Sequence, residues 1–206
     1  EIRLPFQDYM VYRMAGITYD RGVQFDRDVG PFGITLGFTN GNGITDNFKI
    51  NGTGYSRPDR MFDNDNSKTV FAHVGTDIGP VGVGLFGASG KQRGATGPAA
   101  MDKSQRNTDK RVVGVDASGD IGAQVHWYAQ YLWNDWRGFL DVDPTRNYRW
   151  NGGFAGLDWI PDDRWAFSAL YNYAGAGDFA RSNTIYEGIA INSLSLTASR
   201  YFMRNV

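Results

Sequence analysis

From Ile121 to Asn134 the chain alternates without a break. The odd positions are Ile121, Ala123, Val125, Trp127, Ala129, Tyr131 and Trp133; the even ones are Gly122, Gln124, His126, Tyr128, Gln130, Leu132 and Asn134. Period two puts successive side chains on opposite faces of an extended strand, so one face is apolar and aromatic and the other polar and almost uncharged. Fourteen residues is well beyond an ordinary globular strand. Such a strand reaches roughly 45 Å, or about 35 Å along a normal from which it tilts by about 40°. That is enough to cross a hydrocarbon core about 30 Å thick. This stretch, with a tight turn expected just before it at Ser118-Gly119-Asp120, predicts a membrane-spanning hairpin.

The rest of the chain follows the same rule. Val23 and Phe25 alternate with Gln24 and Asp26; Phe32, Ile34, Leu36 and Phe38 alternate with Gly33, Thr35, Gly37 and Thr39. A near-repeat follows: Asp28-Val29-Gly30-Pro31 and Asp77-Ile78-Gly79-Pro80 each lead into an alternating run, and Gly-Pro punctuates a tight reversal. Further strands are expected around Val113–Ala117, Ala155–Trp159, Trp165–Tyr173 and Ile189–Tyr201, with a turn at Pro161-Asp162-Asp163. The segment from Glu1 to Asp20 has no clean period, although 9–19 could add a strand.

Short and long connections alternate. The turns at 28–31, 77–80, 118–120 and 161–163 are short, whereas 40–67, 90–110, 135–147 and 175–188 read as long polar loops. In an up-and-down barrel every tight turn then lies at one rim and every loop at the other, the asymmetry of transmembrane barrels. A soluble β-sandwich has no reason to sort its loops so strictly. The expectation is therefore an all-β chain, a transmembrane antiparallel up-and-down β-barrel of about nine or ten strands. Residues 1–206 form a single β-barrel domain or the C-terminal portion of a larger one; a complete barrel of eight or ten strands is the rival.

Composition agrees with this class. No run of apolar residues is long enough for a transmembrane helix, and barrel strands keep the mean hydropathy negative, here -0.43. The formal charge of -1 gives no electrostatic case for nucleic acid. With no cysteine there are no disulfides, thiolate metal sites or cysteine nucleophile.

Two stretches resemble a known group. Arg21-Gly22-Val23-Gln24-Phe25, followed after a short turn by the run Gly33 to Gly41, is similar to the first-hairpin pattern of Gram-negative porins, nearest to the phosphate-selective porin group. Leu194 to Val206, with its Y-x-x-x-N-V ending, resembles the penultimate strand of such porins. The resemblance implies a trimeric outer-membrane channel of sixteen or eighteen strands that passes small solutes by diffusion. The strand count here is smaller, and the chain stops at a turn without a terminal aromatic residue; both fit the C-terminal part of a longer barrel.

From the alternation, the pore-lining candidates are Gln24, Asp26, Asp116, Gln124, His126, Gln130, Asp158 and Asn172. Their mixed character offers no cationic ladder and so no support for anion selectivity. The candidates for an aromatic girdle at the membrane interfaces are Trp127, Trp133, Trp150, Trp159, Trp165 and Tyr173. His73 and His126 lie on separate strands without ligand spacing, and no metal or other cofactor is expected. Asp63 to Ser67 and Asp141-Val142-Asp143 place oxygens at alternate positions, as Ca²⁺ ligation can use, but polar loops carry the same residues. No P-loop or nucleophile elbow occurs, and the chain is not expected to be an enzyme.

The functional expectation is an outer-membrane porin: a Gram-negative channel for ion transport and passive diffusion of small hydrophilic solutes. Its partners would be outer-membrane lipid, lipopolysaccharide and two further copies in a homotrimer. The alternative is a non-conducting barrel that acts as a scaffold or sheath for a plugging, electron-transfer or secreted partner. A soluble β-protein is the third reading.

Overall fold

The computed structural model describes residues 22–39, 68–100, 102–184, 187 and 190–201. The possible strand at 9–19 and the oxygen-rich run 63–67 lie outside these residues. The described chain makes one antiparallel sheet of nine strands in sequence order: β1 (Gly22–Val29), β2 (Phe32–Thr39), β3 (Thr69–Ile78), β4 (Val81–Thr96), β5 (Asp102–Ile121), β6 (Val125–Arg137), β7 (Asn147–Asp162), β8 (Trp165–Gly175) and β9 (Ala190–Arg200). Each strand pairs with the next, and among the described residues the sheet is open, with β1 and β9 at its edges. Single helical turns at Pro98–Ala100 and Gly177–Phe179 lie in the connections.

The two Gly-Pro pairs form two-residue turns in which Gly30 and Gly79 take φ of 60° and 62°. A side chain there would meet the left-handed penalty that glycine escapes. The third turn is not where the sequence suggested. Ser118, Gly119 and Asp120 stay in β5, paired with Tyr128, Trp127 and His126, and the reversal falls at 122–124 with Gly122 at φ 64°. Gly119 is a seat rather than a bend: a Cβ there would stand 3.1 Å from the Trp127 indole nitrogen. The alternating stretch thus begins on β5 and continues, after the turn, from Val125.

The expected loop at 90–110 is also mostly sheet. β4 and β5 stay paired up to Thr96 and Asp102, so this hairpin projects past its neighbours. Polar composition marks strands that have left the apolar layer, not a loss of strand structure.

The register sorts side chains into two faces. The outer face carries Val113, Val115, Ala117 and Ile121 of β5; Val125, Trp127, Ala129, Tyr131 and Trp133 of β6; and Ala155, Leu157 and Trp159 of β7. On β5–β7 this band holds no charge until Arg111, Asp135 and Arg149, which are aligned across the three strands. From Val125 to Trp133 it occupies nine residues, the length a tilted strand needs to span hydrocarbon, about 9–11. Large apolar side chains, among them Phe25, Leu36, Leu85, Leu194 and Leu196, stand exposed on it.

Trp159, Phe167 and Trp165 stack in series near the turn end, at 5.1 and 5.6 Å. Trp127 shares that level, while Trp133, packed edge-on to Tyr131 at 4.8 Å, and Tyr173 mark the other edge. Trp150 does not belong to this belt. It has the opposite parity, is 3% exposed, and packs edge-on against Trp136 at 5.7 Å on the other face. Its position near a strand end suggested an interface residue, but the pleat decides the face.

Candidate functional site: the inner face of the sheet

The inner face reads as rows across the strands. Nearest the turns runs Asp120–His126–Asp158–Ser168–Thr197, then Asp77–Gly82–Ser118–Tyr128–Gly156–Leu170–Ser195. The next row is Asp28–Gly33–Gly75–Gly84–Asp116–Gln130–Phe154–Asn172–Ser193. Gln24, Asp26, Asp116, His126, Gln130, Asp158 and Asn172 all fall on this face, as the alternation suggested. Gln124 does not: it sits in the turn, and its side-chain amide donates to the Pro161 carbonyl at 2.8 Å. Arg149 and Arg200 are outward; Arg200 lies over the Trp165 ring at 5.3 Å.

Extending the same parity from the correct turns adds Asp28, His73, Asp77 and Asp120, residues the sequence reading left out. Among the described residues six strand carboxylates therefore share the inner face (Asp26, Asp28, Asp77, Asp116, Asp120 and Asp158), against two strand cations of the same parity: Lys110, which is buried, and Arg106, which is paired with Asp141. Asp26 accepts hydrogen bonds from Thr35 Oγ1 at 2.6 Å and from Gln24 Nε2 at 2.8 Å. His126 Nδ1 lies 2.8 Å from Asp120 Oδ1. His73 Nε2 and Asp116 Oδ2 meet at 2.9 Å, reaching from β3 and β5 across β4. They can do so because Gly84 lies beneath them: a Cβ there would collide with both side chains. Among the described residues no three His, Asp or Glu side chains converge as a metal set.

Toward the loop rim the same face becomes a core. Val112, Leu132, Trp136, Tyr148, Trp150 and Phe154 project from the strands, and Phe139, Leu140 and Phe179 from the connections pack onto them. Phe179 stacks on Tyr148 at 4.7 Å and meets Trp136 edge-on at 6.0 Å. Hydrogen bonds tie the connections down. Ala95 N–H donates to the Phe139 carbonyl at 2.8 Å, and Asp141 N–H returns a bond to Ala95 at 2.9 Å. Arg106 Nη2 donates to the Gly138 carbonyl at 2.7 Å and to Asp141 Oδ1 at 2.8 Å. Arg146 donates to the Asp178 carbonyl at 2.7 Å, while the Arg149 N–H donates to the Asp178 carboxylate at 2.9 Å.

Burial alone would raise the Asp141 carboxyl. Hydrogen bonds from Ser104, Arg106 and Thr96 and the Arg106 charge outweigh it and hold the group below the usual carboxylate range. Asp141 is thus engaged by Arg106, and Asp143 accepts from Thr145 Oγ1 at 3.3 Å, so the oxygens considered for Ca²⁺ serve the loop itself. Burial, then Asp143, push the Tyr148 phenol up, with Arg146 opposing them, so it stays neutral.

No family model matches the chain, and no curated protein matches it. The fold does have solved counterparts. In-vitro folded OmpT, an outer membrane protein of Vibrio cholerae, superposes with a TM-score of 0.50 at 11% identity, over 87% of this chain and 54% of that one. Its trimer form gives 0.52 at 12% identity over the same shares. The form expressed in the outer membrane gives 0.50 at 12% identity, over 87% and 55%. This chain spans about half the length of the structures it matches. The likeness carries nothing specific to phosphate-selective porins; at this identity it establishes the fold, an antiparallel sheet built like the wall of an outer-membrane β-barrel.

Proposed function

We propose that the chain forms wall of a diffusion pore in a bacterial outer membrane, with a preference for cations. One observation carries this reading: a single sheet whose one face bears an apolar band, uncharged on β5–β7 and interrupted on β1 by Arg27, while the other, among the described residues, bears six strand carboxylates against two strand cations, Lys110 and Arg106. An apolar band of spanning length is stable against lipid, and a polar opposite face lowers the cost of moving hydrated solutes past it. Carboxylates along the path attract cations and repel anions. The outward aromatic residues then meet the lipid headgroups and lipopolysaccharide. No chemical step is part of the function.

We assign the working state as a homotrimer. The trimer form of the Vibrio cholerae protein supports this, as does an apolar groove of about 790 Å³ on the outer face, where Val83, Ala117, Ala129 and Ala155 lie between Leu85 and Tyr171. The alternative, a non-conducting sheath, draws support from the aromatic core at the loop rim, which fills part of the inner face.

Planar-bilayer recording of the full-length protein separates the two. The pore reading expects steady conductance and, under a salt gradient, a reversal potential of the sign set by cations. Absence of conductance from protein that extracts with the outer membrane supports the sheath, and monodisperse behaviour in plain buffer overturns both.

A further inference from the structure

Where the apolar band ends toward the loops, the outer face of β4–β7 turns charged. One row across these strands reads Ser89–Arg111–Asp135–Arg149, and the next reads Lys91–Asp109–Arg137–Asn147. Four cations face two carboxylates here, and both carboxylates are taken. Lys91 Nζ lies 3.2 Å from Asp109 Oδ1, and Arg137 Nε donates to Asp135 Oδ2 at 3.1 Å. Asp178, close by, accepts from the Arg149 backbone N–H at 2.9 Å and not from its side chain. Arg111 and Arg149 are left over. Both are exposed, and among the described residues neither guanidinium is paired with a carboxylate.

Their level on the wall gives them a meaning that scattered surface arginines lack. The two stand on either side of β6, about 10 Å apart, near enough for long side chains to converge on one group. One row nearer the band lie Asn151 and Trp133, the latter 47% exposed. Tyr173 leans toward the same rim. A Cβ on Gly175, the register partner of Asn151, would stand 2.8 Å from the Tyr173 hydroxyl and 3.8 Å from Asn151 Oδ1. The phenol thus sends its polar end out of the apolar band while its ring stays within it. From the rim downward the surface offers two unpaired guanidiniums, an amide and a hydroxyl, and then rings that face hydrocarbon.

We infer that Arg111 and Arg149 form a docking site for the phosphate of a glycolipid headgroup in the leaflet at the loop rim. The inference rests on the membrane-wall part of the reading above and not on conduction, since a sheath would carry the site equally. Charge sets the sign of the ligand. A guanidinium meets phosphate oxygens with paired N–H donors, a stronger match than a point charge makes. Depth sets its source. An anion tethered to acyl chains is held at this height by the chains that lie along the apolar band below, whereas a free anion gains nothing from that band. Loops of membrane barrels lie on the outer side, so the headgroup is that of lipopolysaccharide.

The test uses the full-length protein in detergent micelles, with diphosphoryl lipid A as the probe and inorganic phosphate as the control. Lipid A is expected to raise the melting temperature saturably, and phosphate at the same concentration to leave it unchanged. Arg111→Gln and Arg149→Gln are each expected to raise the half-saturating concentration about fivefold, equivalent to about 1 kcal/mol for one basic residue at an anionic headgroup. Lys91→Gln, whose amine already has Asp109, should leave it nearly unaltered. Because both arginines are exposed, neither variant should shift melting in the absence of lipid. A second arm needs no variant: potassium chloride at about 1 M should weaken binding to the unaltered protein, because salt screens exposed charges. Lipid A that binds both arginine variants as tightly as the unaltered protein, or binds equally well in high salt, overturns the site and leaves the membrane wall standing. A shift produced by inorganic phosphate alone overturns the lipid assignment. Protein that is monodisperse in plain buffer overturns the membrane reading and this site with it.

Discussion

The two ends of the inner face obey one alternation and come out opposite. Toward the turns the rows are small and acidic: Asp28, Gly33, Gly75, Gly84 and Asp116 follow one another across five strands, and the side chains lean over glycine floors. Toward the loops the rows are aromatic, and the connections supply Phe139, Leu140 and Phe179 to cover them. Turns of two residues, such as Gly30-Pro31, have nothing to lay over the face they close. Connections such as 138–146 can fold back. What occupies the inner face therefore depends less on the strands than on the length and apolar content of the segment that joins them.

The comparison breaks most easily at Phe179. It is 1% exposed and touches Tyr148, Trp136 and Phe139. Truncating so buried a ring costs about 3 to 5 kcal/mol where the surroundings cannot close in. Phe179→Ala is expected to expose the 176–184 connection to protease while the sheet keeps its far-ultraviolet circular dichroism. Loss of the whole sheet at once would mean that the loop end is no separate layer.

Next in size is an arginine on the outer face. Val115→Arg puts a charge in the apolar band of β5, where a cation near the bilayer midplane costs about 2 to 4 kcal/mol. Ser195→Arg, on the inner face of β9, should cost little. Folding yield into lipid vesicles measures both. Equal damage from the two would refute the assignment of faces.

Much of this was legible in the sequence. Gly30-Pro31 and Gly79-Pro80 punctuate their hairpins because only glycine holds φ near 60° without strain, and parity put seven of the eight candidates Gln24 to Asn172 on one face of the sheet. Errors arose where local chemistry was ambiguous. Ser118-Gly119-Asp120 has the composition of a turn, yet Gly119 is a flat seat for Trp127 and the turn begins after β5 ends, three residues on from Gly119, at Gly122. Gln124 was misplaced by that shift. Trp150 looked like a girdle residue because it sits near a strand end; its phase relative to Phe154 and Asp158 on β7 would have placed it inside. The loop-end core joins Phe139 and Phe179, from two connections, to Ala95 near the end of β4, a long-range contact that no periodicity encodes.

A smaller effect concerns how the loop end is held at low pH. The Asp141 carboxyl lies below its ordinary value in the folded protein, so its contribution to stability is complete above the ordinary carboxylate value, about 3.9. It is lost as the pH falls through the depressed folded value. Protease resistance of the 138–146 connection should thus persist at pH 5 and fail only well into the acid range. Arg106→Ala removes two hydrogen-bond contacts to Asp141 and one to Gly138, and should move that failure to higher pH. An unchanged profile would show that the aromatic packing alone retains the loop.

The finest test sits at the turn end. A methyl group at Gly84 would collide with the tips of His73 and Asp116 rather than with backbone, so both side chains can swing aside and the strand can stay in place. Gly84→Ala is expected to cost about 1 kcal/mol, the worth of the hydrogen bond it parts, read as a shift in thermal melting in detergent. The carboxylate itself remains, so the sign of the reversal potential in a potassium chloride gradient should not change. Asp116→Asn removes the charge and spares the glycine; it should leave the melting point nearly unaltered and move the reversal potential toward zero. If Gly84→Ala shifted the potential as much as Asp116→Asn does, the cation preference would depend on the paired His73–Asp116 geometry rather than on the summed charge of the acidic rows.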